Sequence, residues 1–133
     1  MKVILFTFLL LLSVTALAET ASEQSLADYR SVGAGPFNAE TGKQLWLSVT
    51  KETERGIERS CTDCHGNNLN LSGKHLRTGK PIEPMAPVVT SHRLTDKSKI
   101  EKWFKRNCKW TFGRECTPQE KGDLILFIQQ QNK

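Results

Sequence analysis

Apolar residues recur at helical spacing in three segments of the chain, and this pattern predicts three helices. The first predicted helix covers residues 37–50, with Asn38 placed to cap its N-terminus. The third begins at Thr117 and Pro118, with the sequence of a capping box and proline at the first helical position. Gly42, inside the first helix, favours a close approach by another helix. The expected fold class is all-α.

The middle predicted helix carries an apolar stripe that is interrupted by one amide. Thr95 is its expected N-cap, and Ile100, Trp103 and Phe104 follow at helical spacing. The next position on this face is Asn107, and a polar group there needs a partner. Spacing alone leaves two interpretations: a satisfied core or helix-terminal amide, or a side chain that faces a cofactor.

Residues outside these helices are polar or rich in glycine and proline. Residues 19–36 form a polar N-terminal extension with one predicted helical turn at 26–29, and residues 51–60 form a charged surface loop. Residues 69–89 contain two glycines and three prolines, which exclude a long helix and most strand pairing. This segment is expected to be irregular chain that wraps around another part of the molecule. Residues 37–133 are predicted to form one domain.

The run C-T-D-C-H, in which Cys61, Cys64 and His65 are the reactive residues, has the most specific chemistry. Two thiols at this spacing add across the vinyl groups of one haem, and the histidine then lies under the iron as an axial ligand. C-x-x-C also occurs in thiol redox sites and as half of a zinc site, for which Cys108 and Cys116 are two further sulfurs. A redox pair of the thioredoxin kind belongs at a strand-to-helix junction that the pattern lacks, and a zinc site does not need this histidine. We therefore predict one covalently attached haem c.

The first residues of the chain have the form of an export signal. Lys2, an apolar run and an A-x-A site ending at Ala18 are the parts of a secretory signal peptide, here residues 1–18. The apolar run is too short for a permanent membrane span. Haem is joined to bacterial C-x-x-C-H sites outside the inner membrane, so we expect a periplasmic protein that does not span the membrane after cleavage.

Size and charge narrow the choice of partners. A mature chain of about 115 residues is small for one domain, and a haem would add to its core. The formal net charge falls from +5 to about +4 once Lys2 leaves with the signal, and the cations are spread along the chain. Nucleic acid is not an expected partner, whereas a basic rim suits an acidic redox partner.

Cys108 and Cys116 are expected to form a disulfide, because seven residues separate them in an oxidising compartment. The chain-entropy model gives roughly 2.5 kcal/mol of stabilisation for a loop of this size. The bond would also fix the position of the neighbouring Asn107.

Several runs resemble the sphaeroides haem protein family of monohaem class I c-type cytochromes, over most of the mature chain. They are GKPIEPMAP (79–87), RLTD (93–96), IEKW (100–103), RNC (106–108) and GRECT (113–117). The resemblance implies a class I cytochrome c-like fold around one haem c. It implies His65 as proximal ligand, Asn107 as sixth ligand, and a Cys108–Cys116 disulfide beside it. It also implies diheme c-type and membrane b-type cytochromes as redox partners, and diatomic ligands such as oxygen or nitric oxide.

The sixth ligand decides the chemistry, and the residues themselves leave it open. Without the resemblance, Met85 is the first candidate, because methionine with histidine is the common pair in electron-carrying cytochromes c. His75, His92 and an open site are the remaining alternatives. A thioether favours ferrous iron and closes the site. An amide is a harder and weaker donor that we expect to leave the iron on reduction.

Further haem contacts are expected from the irregular segment and from the middle helix. Met85 packs on a porphyrin readily as a soft apolar residue, and Trp103 belongs to the apolar stripe. Arg77, Lys80 or Arg93 are candidates to pair with the haem propionates.

The predicted function is electron transfer by a periplasmic cytochrome, not an enzyme, with a labile Asn107 ligand that admits oxygen, nitric oxide or carbon monoxide on reduction. Two alternatives are a haem-based ligand-binding or sensing protein with minor redox activity, and a plain His/Met electron carrier.

Overall fold

The computed structural model describes residues 19–51 and 56–131, and its chain is mostly helical. The elements, in chain order, are α1 (Ala21–Ser31), α2 (Ala39–Leu47), β1 (Thr50–Lys51), β2 (Glu58–Arg59), α3 (Thr62–His65), β3 (Gly73–Lys74), β4 (Pro81–Ile82), α4 (Lys97–Phe112) and α5 (Pro118–Gln129). Among the described residues, no helix has the length and apolar character needed to cross a membrane. The predicted signal peptide lies outside the described part of the chain.

Helices α2 and α5 cross at close range because glycines lie at the contact. A Cβ atom on Gly42 would lie 2.1 Å from the carbonyl oxygen of Asp123, so the predicted role of this glycine is confirmed. Gly122 makes room in the same way for the ring of Phe37. The buried carboxylate of Asp123 accepts the N–H of Asn38 at 2.7 Å, and Asn38 is the N-cap of α2 as predicted. The start of α2 is thereby fixed against the middle of α5.

Helix α1 is longer than the single turn predicted at residues 26–29. A capping box at Thr20 begins it, and eleven residues follow in the helix. Leu26 and Tyr29 are buried in one cluster with Ile100 of α4 and Ile125 of α5. The segment 19–36 therefore shares its core with the later helices, while a domain boundary at residue 37 stays a prediction.

Polar contacts also hold α1 against α4 and α5. The Tyr29 hydroxyl donates to the carboxylate of Glu101, and Lys121 donates to the other oxygen of that carboxylate at 2.8 Å. Burial, together with the hydrogen bond to Glu101, raises the pKa of Tyr29. Lys97 and Asp28 form a further ion pair between α4 and α1. These contacts fix one side of α4.

Helix α4 begins one residue later than predicted. The Asp96 side chain accepts the N–H of Lys99 at 3.0 Å and is the N-cap, whereas the Thr95 hydroxyl donates to the carbonyl of His92. The prediction of Thr95 as the N-cap was therefore wrong, because the carboxylate takes the capping position. The helix ends at Gly113, whose φ of 69° is favourable for glycine. The predicted capping box of α5 is confirmed.

Two short antiparallel strand pairs connect the helices. Strand β1 pairs with β2, and β3 pairs with β4. The second pair lies inside residues 69–89, where irregular chain was predicted, and strands of two residues tolerate Pro81 because they need few ladder hydrogen bonds. A Cβ atom on Gly73 would lie 2.1 Å from the carbonyl oxygen of Cys64, so β3 lies directly against α3.

Candidate cofactor site

A cavity of about 1260 Å³ is bordered by α3, the segment that follows β3, and α4. Its volume exceeds the roughly 300–1,000 Å³ of common small-molecule sites. Apolar side chains of α5, Leu124 and Ile128, form part of its wall and belong to a buried cluster with Trp46. The volume and the lining suit a large, flat and mostly apolar cofactor.

Both cysteines of the C-T-D-C-H run line this cavity. Cys61 caps α3 and Cys64 lies within it, and the two form no disulfide. Ser60 holds the turn, since its N–H donates to the Asp63 carboxylate at 2.9 Å and its hydroxyl donates to the Trp46 carbonyl at 3.2 Å. Burial raises the pKa of the Cys61 thiol to about 11. A redox-active dithiol needs a lowered thiol pKa, so this environment does not suit that alternative.

His65 presents a neutral imidazole to the cavity. Burial, with the charge of Arg93, lowers its pKa to about 4, and neutral imidazole is the form that ligates metals. Its Nδ1 atom is buried without a hydrogen-bond partner among the described residues. The ring of Trp46 lies 5.3 Å from the His65 ring, centroid to centroid, and the Trp46 indole N–H donates to the Gly66 carbonyl at 3.2 Å. These contacts fix the imidazole beside α3.

The predicted stripe of α4 forms a wall of the same cavity. Ile100, Trp103, Phe104 and Asn107 all line it. The side-chain amide of Asn107 makes no hydrogen bond within the part of the chain that the structure describes. Of the two interpretations left by the spacing, the structure therefore places this amide in the cavity wall and not in a satisfied core site.

Thr111 is a site residue that sequence reasoning missed. It lies one helical turn after Asn107, is buried, and lines the cavity beside Cys61, where its side chain lowers the pKa of the thiol against the larger effect of burial. The signal was the helical period itself, because Thr111 continues the stripe at the fourth residue after Asn107. Through this contact the end of α4 reaches the haem-attachment run.

The predicted disulfide between Cys108 and Cys116 is confirmed, with 5.6 Å between the two Cα atoms. Both residues are buried. Because these sulfurs are bonded to each other, they are not available to complete a zinc site with Cys61 and Cys64. The bond joins the last part of α4, next to Asn107, to the start of α5.

Of the three cations predicted to pair with the haem propionates, two line the cavity and one does not. Arg77 and Arg93 line the cavity, whereas Lys80 is exposed and lies outside its lining. The Arg93 guanidinium is fixed by the Glu83 carbonyl at 2.9 Å and the Pro84 carbonyl at 3.1 Å. A guanidinium held in this way is directed toward one region of the cavity, as a propionate partner requires.

The three other candidates for the sixth ligand also line the cavity. Met85 packs against the cluster that contains Trp46. His92 pairs with Glu83 at 3.1 Å, and His75 accepts the N–H of Thr78 at its Nδ1 atom. Both histidines have hydrogen-bond partners at a ring nitrogen, so they are weaker candidates than Met85 or Asn107.

The residues present fit a haem. Two cysteines outside any disulfide, and a neutral imidazole with a nitrogen that has no partner among the described residues, lie beside a cavity of sufficient volume. Apolar groups line the walls, and two arginines are available for carboxylates. This fold and this site define a monohaem c-type cytochrome.

Comparison with known proteins gives the same class. A family model described as "Domain of unknown function (DUF1924)" matches residues 31–128. Cytochrome c-type protein SHP of Cereibacter sphaeroides is 41% identical over 128 residues, which cover 93% of this chain and 98% of the relative. Cytochrome c'' of Methylophilus methylotrophus is 33% identical over an alignment of 138 positions, which covers 99% of this chain and 96% of the relative.

Solved structures of both relatives share the fold. The structure of oxidized SHP, described as an oxygen binding cytochrome c, has a TM-score of 0.72 and covers 84% of this chain and 97% of its own. The solution structure of cytochrome c'', reported with the structural basis of haem-ligand detachment, has a TM-score of 0.72 at 33% identity. It covers 84% of this chain and 94% of its own.

The chain belongs to the DUF1924 family and, with it, to the sphaeroides haem protein family of c-type cytochromes. Its cofactor is one covalently bound haem c.

Proposed function

We propose that the protein is a periplasmic electron carrier in which Cys61 and Cys64 hold the haem, His65 is the proximal ligand and Asn107 is a labile sixth ligand. The observation that carries the proposal is that His65 and Asn107 line one cavity and neither ligating group has a hydrogen-bond partner among the described residues. Bound haem supplies a one-electron ferric/ferrous couple and, when its sixth position is free, a site for a diatomic ligand.

The chain's residues favour a fixed proximal side. His65 lies on α3 between Trp46 and the β3 backbone, and its imidazole is neutral because it is buried. A histidine ligand that cannot protonate at ordinary pH stays available to the iron through the redox cycle.

The distal side has a weaker donor on a fixed helix. Helix α4 is anchored by Glu101 to α1 and α5, and the disulfide at Cys108 adjoins Asn107. Because the backbone is fixed, the Asn107 amide would leave a bound haem iron by rotation of its own side chain, which is a small movement. An amide oxygen is a weaker ligand for ferrous iron than a thioether, so Asn107 would hold the reduced haem less firmly than the oxidised one.

Met85 is assigned a packing role. It packs against the buried cluster that contains Trp46, Leu69 and Ala86. A methionine there contacts the porphyrin as a soft apolar group. Asn107 is preferred over Met85 as sixth ligand because its amide lines the cavity and has no hydrogen-bond partner among the described residues.

Two related proteins support a sixth position that opens. SHP is described as oxygen binding, and the cytochrome c'' structure as a basis for haem-ligand detachment. We extend the first property to this chain and expect oxygen, nitric oxide or carbon monoxide to bind the reduced protein. Diheme c-type and membrane b-type cytochromes are the proposed redox partners.

The test is the absorption spectrum of the holoprotein, ferric and ferrous, before and after carbon monoxide, in Asn107→Ala and in the matched Met85→Leu variant. Asn107→Ala is expected to keep its haem, to become high-spin in the ferric state, and to bind ligands in both redox states. Met85→Leu is expected to keep the spectra of the unmodified protein.

Two outcomes would contradict the assignment. If Asn107→Ala leaves both spectra and the carbon monoxide affinity unchanged, Asn107 is not the ligand. If the unmodified ferrous protein is low-spin and indifferent to carbon monoxide, and Met85→Leu abolishes that state, the protein is a plain His/Met carrier.

A further inference from the structure

Helix α4 carries an unusual concentration of positive charge on one face. Between Lys97 and Phe112 the only acid is Glu101, and its carboxylate is engaged by Tyr29 and Lys121. Five exposed cations form what we call the cationic stripe: Lys99, Lys102, Lys105, Arg106 and Lys109.

The spacing of these cations places them on one side of the helix. At 100° per residue they span about 120° of the circumference, and Lys99, Lys102, Arg106 and Lys109 recur on successive turns over about 15 Å. Glu101 lies outside this arc and faces α1 and α5. The stripe is therefore a continuous surface of one sign.

Helix stability does not account for the stripe. Like charges three or four residues apart repel each other, and the stripe contains several such pairs. Among the described residues, the stripe forms ion pairs only at its ends, and both are long: Lys99 with Asp96 at 3.7 Å, and Lys109 with Glu115 at 3.9 Å. A face kept positive in this way suits an external anionic group.

The stripe borders the haem cavity. Lys99, Arg106 and Lys109 also line the cavity, and two tryptophans lie between the stripe and the cavity interior. The Arg106 guanidinium lies 5.1 Å from the centroid of the Trp103 ring, and Arg59 lies 4.4 Å from that of Trp110. Tryptophan and arginine are the residues that most often anchor protein interfaces.

We propose that the cationic stripe is the docking surface for an acidic redox protein, an inference that rests on the proposed electron-transfer function. A partner that docks here approaches the haem along the helix that carries Asn107. Complementary charge steers the encounter and raises the association rate, by 10-fold or more at low salt.

A protein partner fits the stripe better than a membrane surface does. A helix that lies on a bilayer directs its apolar face to the lipid. In α4 that face is occupied, since Ile100 is buried with Leu26 and Ile125, and Phe104 packs against the same cluster. The side of the helix left to meet a partner carries the cationic stripe, with the exposed rings of Trp103 and Trp110 at its border.

The probe for this docking surface is reduced flavodoxin, a small acidic redox protein. In each encounter the donor loses one electron and the ferric protein gains it, so haem absorbance in a stopped-flow instrument reports the second-order rate constant. The test variant is Lys102→Glu with Lys105→Glu, because both residues are exposed and neither lines the cavity. The matched control is Lys43→Glu with Lys74→Glu, two exposed lysines outside the stripe that change the net charge equally.

We expect the test variant to react about tenfold more slowly than the control at low ionic strength, and the two rates to converge near 0.5 M salt. The same test variant should be retained less on immobilised flavodoxin than the control. Equal rates and equal retention in the two variants would overturn the proposal.

Two further measurements separate this inference from the proposed function and from a membrane role. If the unmodified protein is not reduced by dithionite or by a small neutral donor, the electron-transfer function itself fails. If vesicles of phosphatidylglycerol bind the unmodified protein but not the test variant, while flavodoxin rates are equal, the stripe is a membrane surface and the docking proposal is overturned.

Discussion

Asn107 shows how much of a side chain's role can be inferred from its position in a hydrophobic pattern. The helical period identifies it as the polar member of an apolar stripe, and the structure places it in the cavity wall. The period does not reveal what lies opposite, because the same spacing serves a satisfied core amide equally well. The assignment of Asn107 as sixth ligand rests on the resemblance of the surrounding runs to the sphaeroides haem protein family, and the proposed spectra test it.

Gly42 is a position where a single methyl group should be costly. A Cβ atom added here would lie 2.1 Å from the carbonyl oxygen of Asp123. Because both groups belong to helix backbones, the clash can be relieved only if one helix moves away from the other. We expect Gly42→Ala to lower the free energy of unfolding by about 1–3 kcal/mol, from overpacking at the α2–α5 crossing. Urea titration followed by circular dichroism measures it.

The control for Gly42 is Lys43→Ala, the next residue of the same helix, which is exposed and should be close to neutral. In an unobstructed helix alanine is favoured over glycine by about 1 kcal/mol. A Gly42→Ala protein more stable than the unmodified one would therefore show that the two helices separate at little cost.

At the scale of elements, the sequence predicts the helices whose capping residues and apolar faces lie within their own residues. Helices α2 and α5 have caps and apolar faces that local pattern identifies. Helix α1 was underestimated, because its composition is polar and its few apolar side chains gain their burial only from α4 and α5. Strands β3 and β4 were missed because two-residue strands are too short to show a period.

The start of α5 has a pH-sensitive contact. Glu120 is the third helical residue of the capping box, and its carboxylate accepts two hydrogen bonds from Arg114, at 2.7 and 2.6 Å, and the N–H of Thr117 at 2.8 Å. The hydrogen bond from Arg114 and those from Thr117 hold the pKa of Glu120 below its usual value, against a smaller opposing effect of burial. These hydrogen bonds join Arg114, in the loop closed by the disulfide, to the first turn of α5.

Because the folded pKa of Glu120 is lower than the unfolded one, this contact stabilises the protein fully above about pH 4.5, and the contribution is lost as the pH falls through the folded pKa. We expect Glu120→Gln to cost about 1–2 kcal/mol at pH 7 and less at pH 3. Thermal unfolding at both pH values tests this, with Glu115→Gln as the control. A loss for Glu120→Gln that does not change with pH would contradict the charge assignment.

At the scale of the whole molecule, the site is assembled from segments far apart in the chain. The C-T-D-C-H run predicts the attachment point by itself, yet it gives no indication that Thr111 of α4 reaches the Cys61 thiol. Composition likewise offers Arg77, Lys80 and Arg93 equally, and only the folded chain separates the two that line the cavity from the one that does not. Long-range contacts of this kind depend on packing, which local periodicity does not encode.

The cavity makes the cofactor part of the hydrophobic core. A space of about 1260 Å³ in a chain of 133 residues removes packing partners from α4, α5 and the segment between β4 and α4 unless haem fills it. We therefore expect Cys61→Ser with Cys64→Ser, which removes covalent attachment, to lose more than about 3 kcal/mol of stability when prepared free of haem. For a domain of this size the midpoint of thermal unfolding should fall by roughly 10–20 °C.

The single variant Cys61→Ser, which retains one thioether bond through Cys64, provides the comparison, and its stability should lie between those of the double variant and the unmodified protein. Haem added to the double variant should restore part of the loss, because His65 remains to ligate it and the cavity walls remain to pack against it. Near-ultraviolet circular dichroism of Trp46 and its neighbours reports the recovered packing. The haem-free double variant could instead unfold at the same temperature as the holoprotein and with the same cooperativity. The polypeptide would then pack fully without haem, and the haem would not be part of the hydrophobic core.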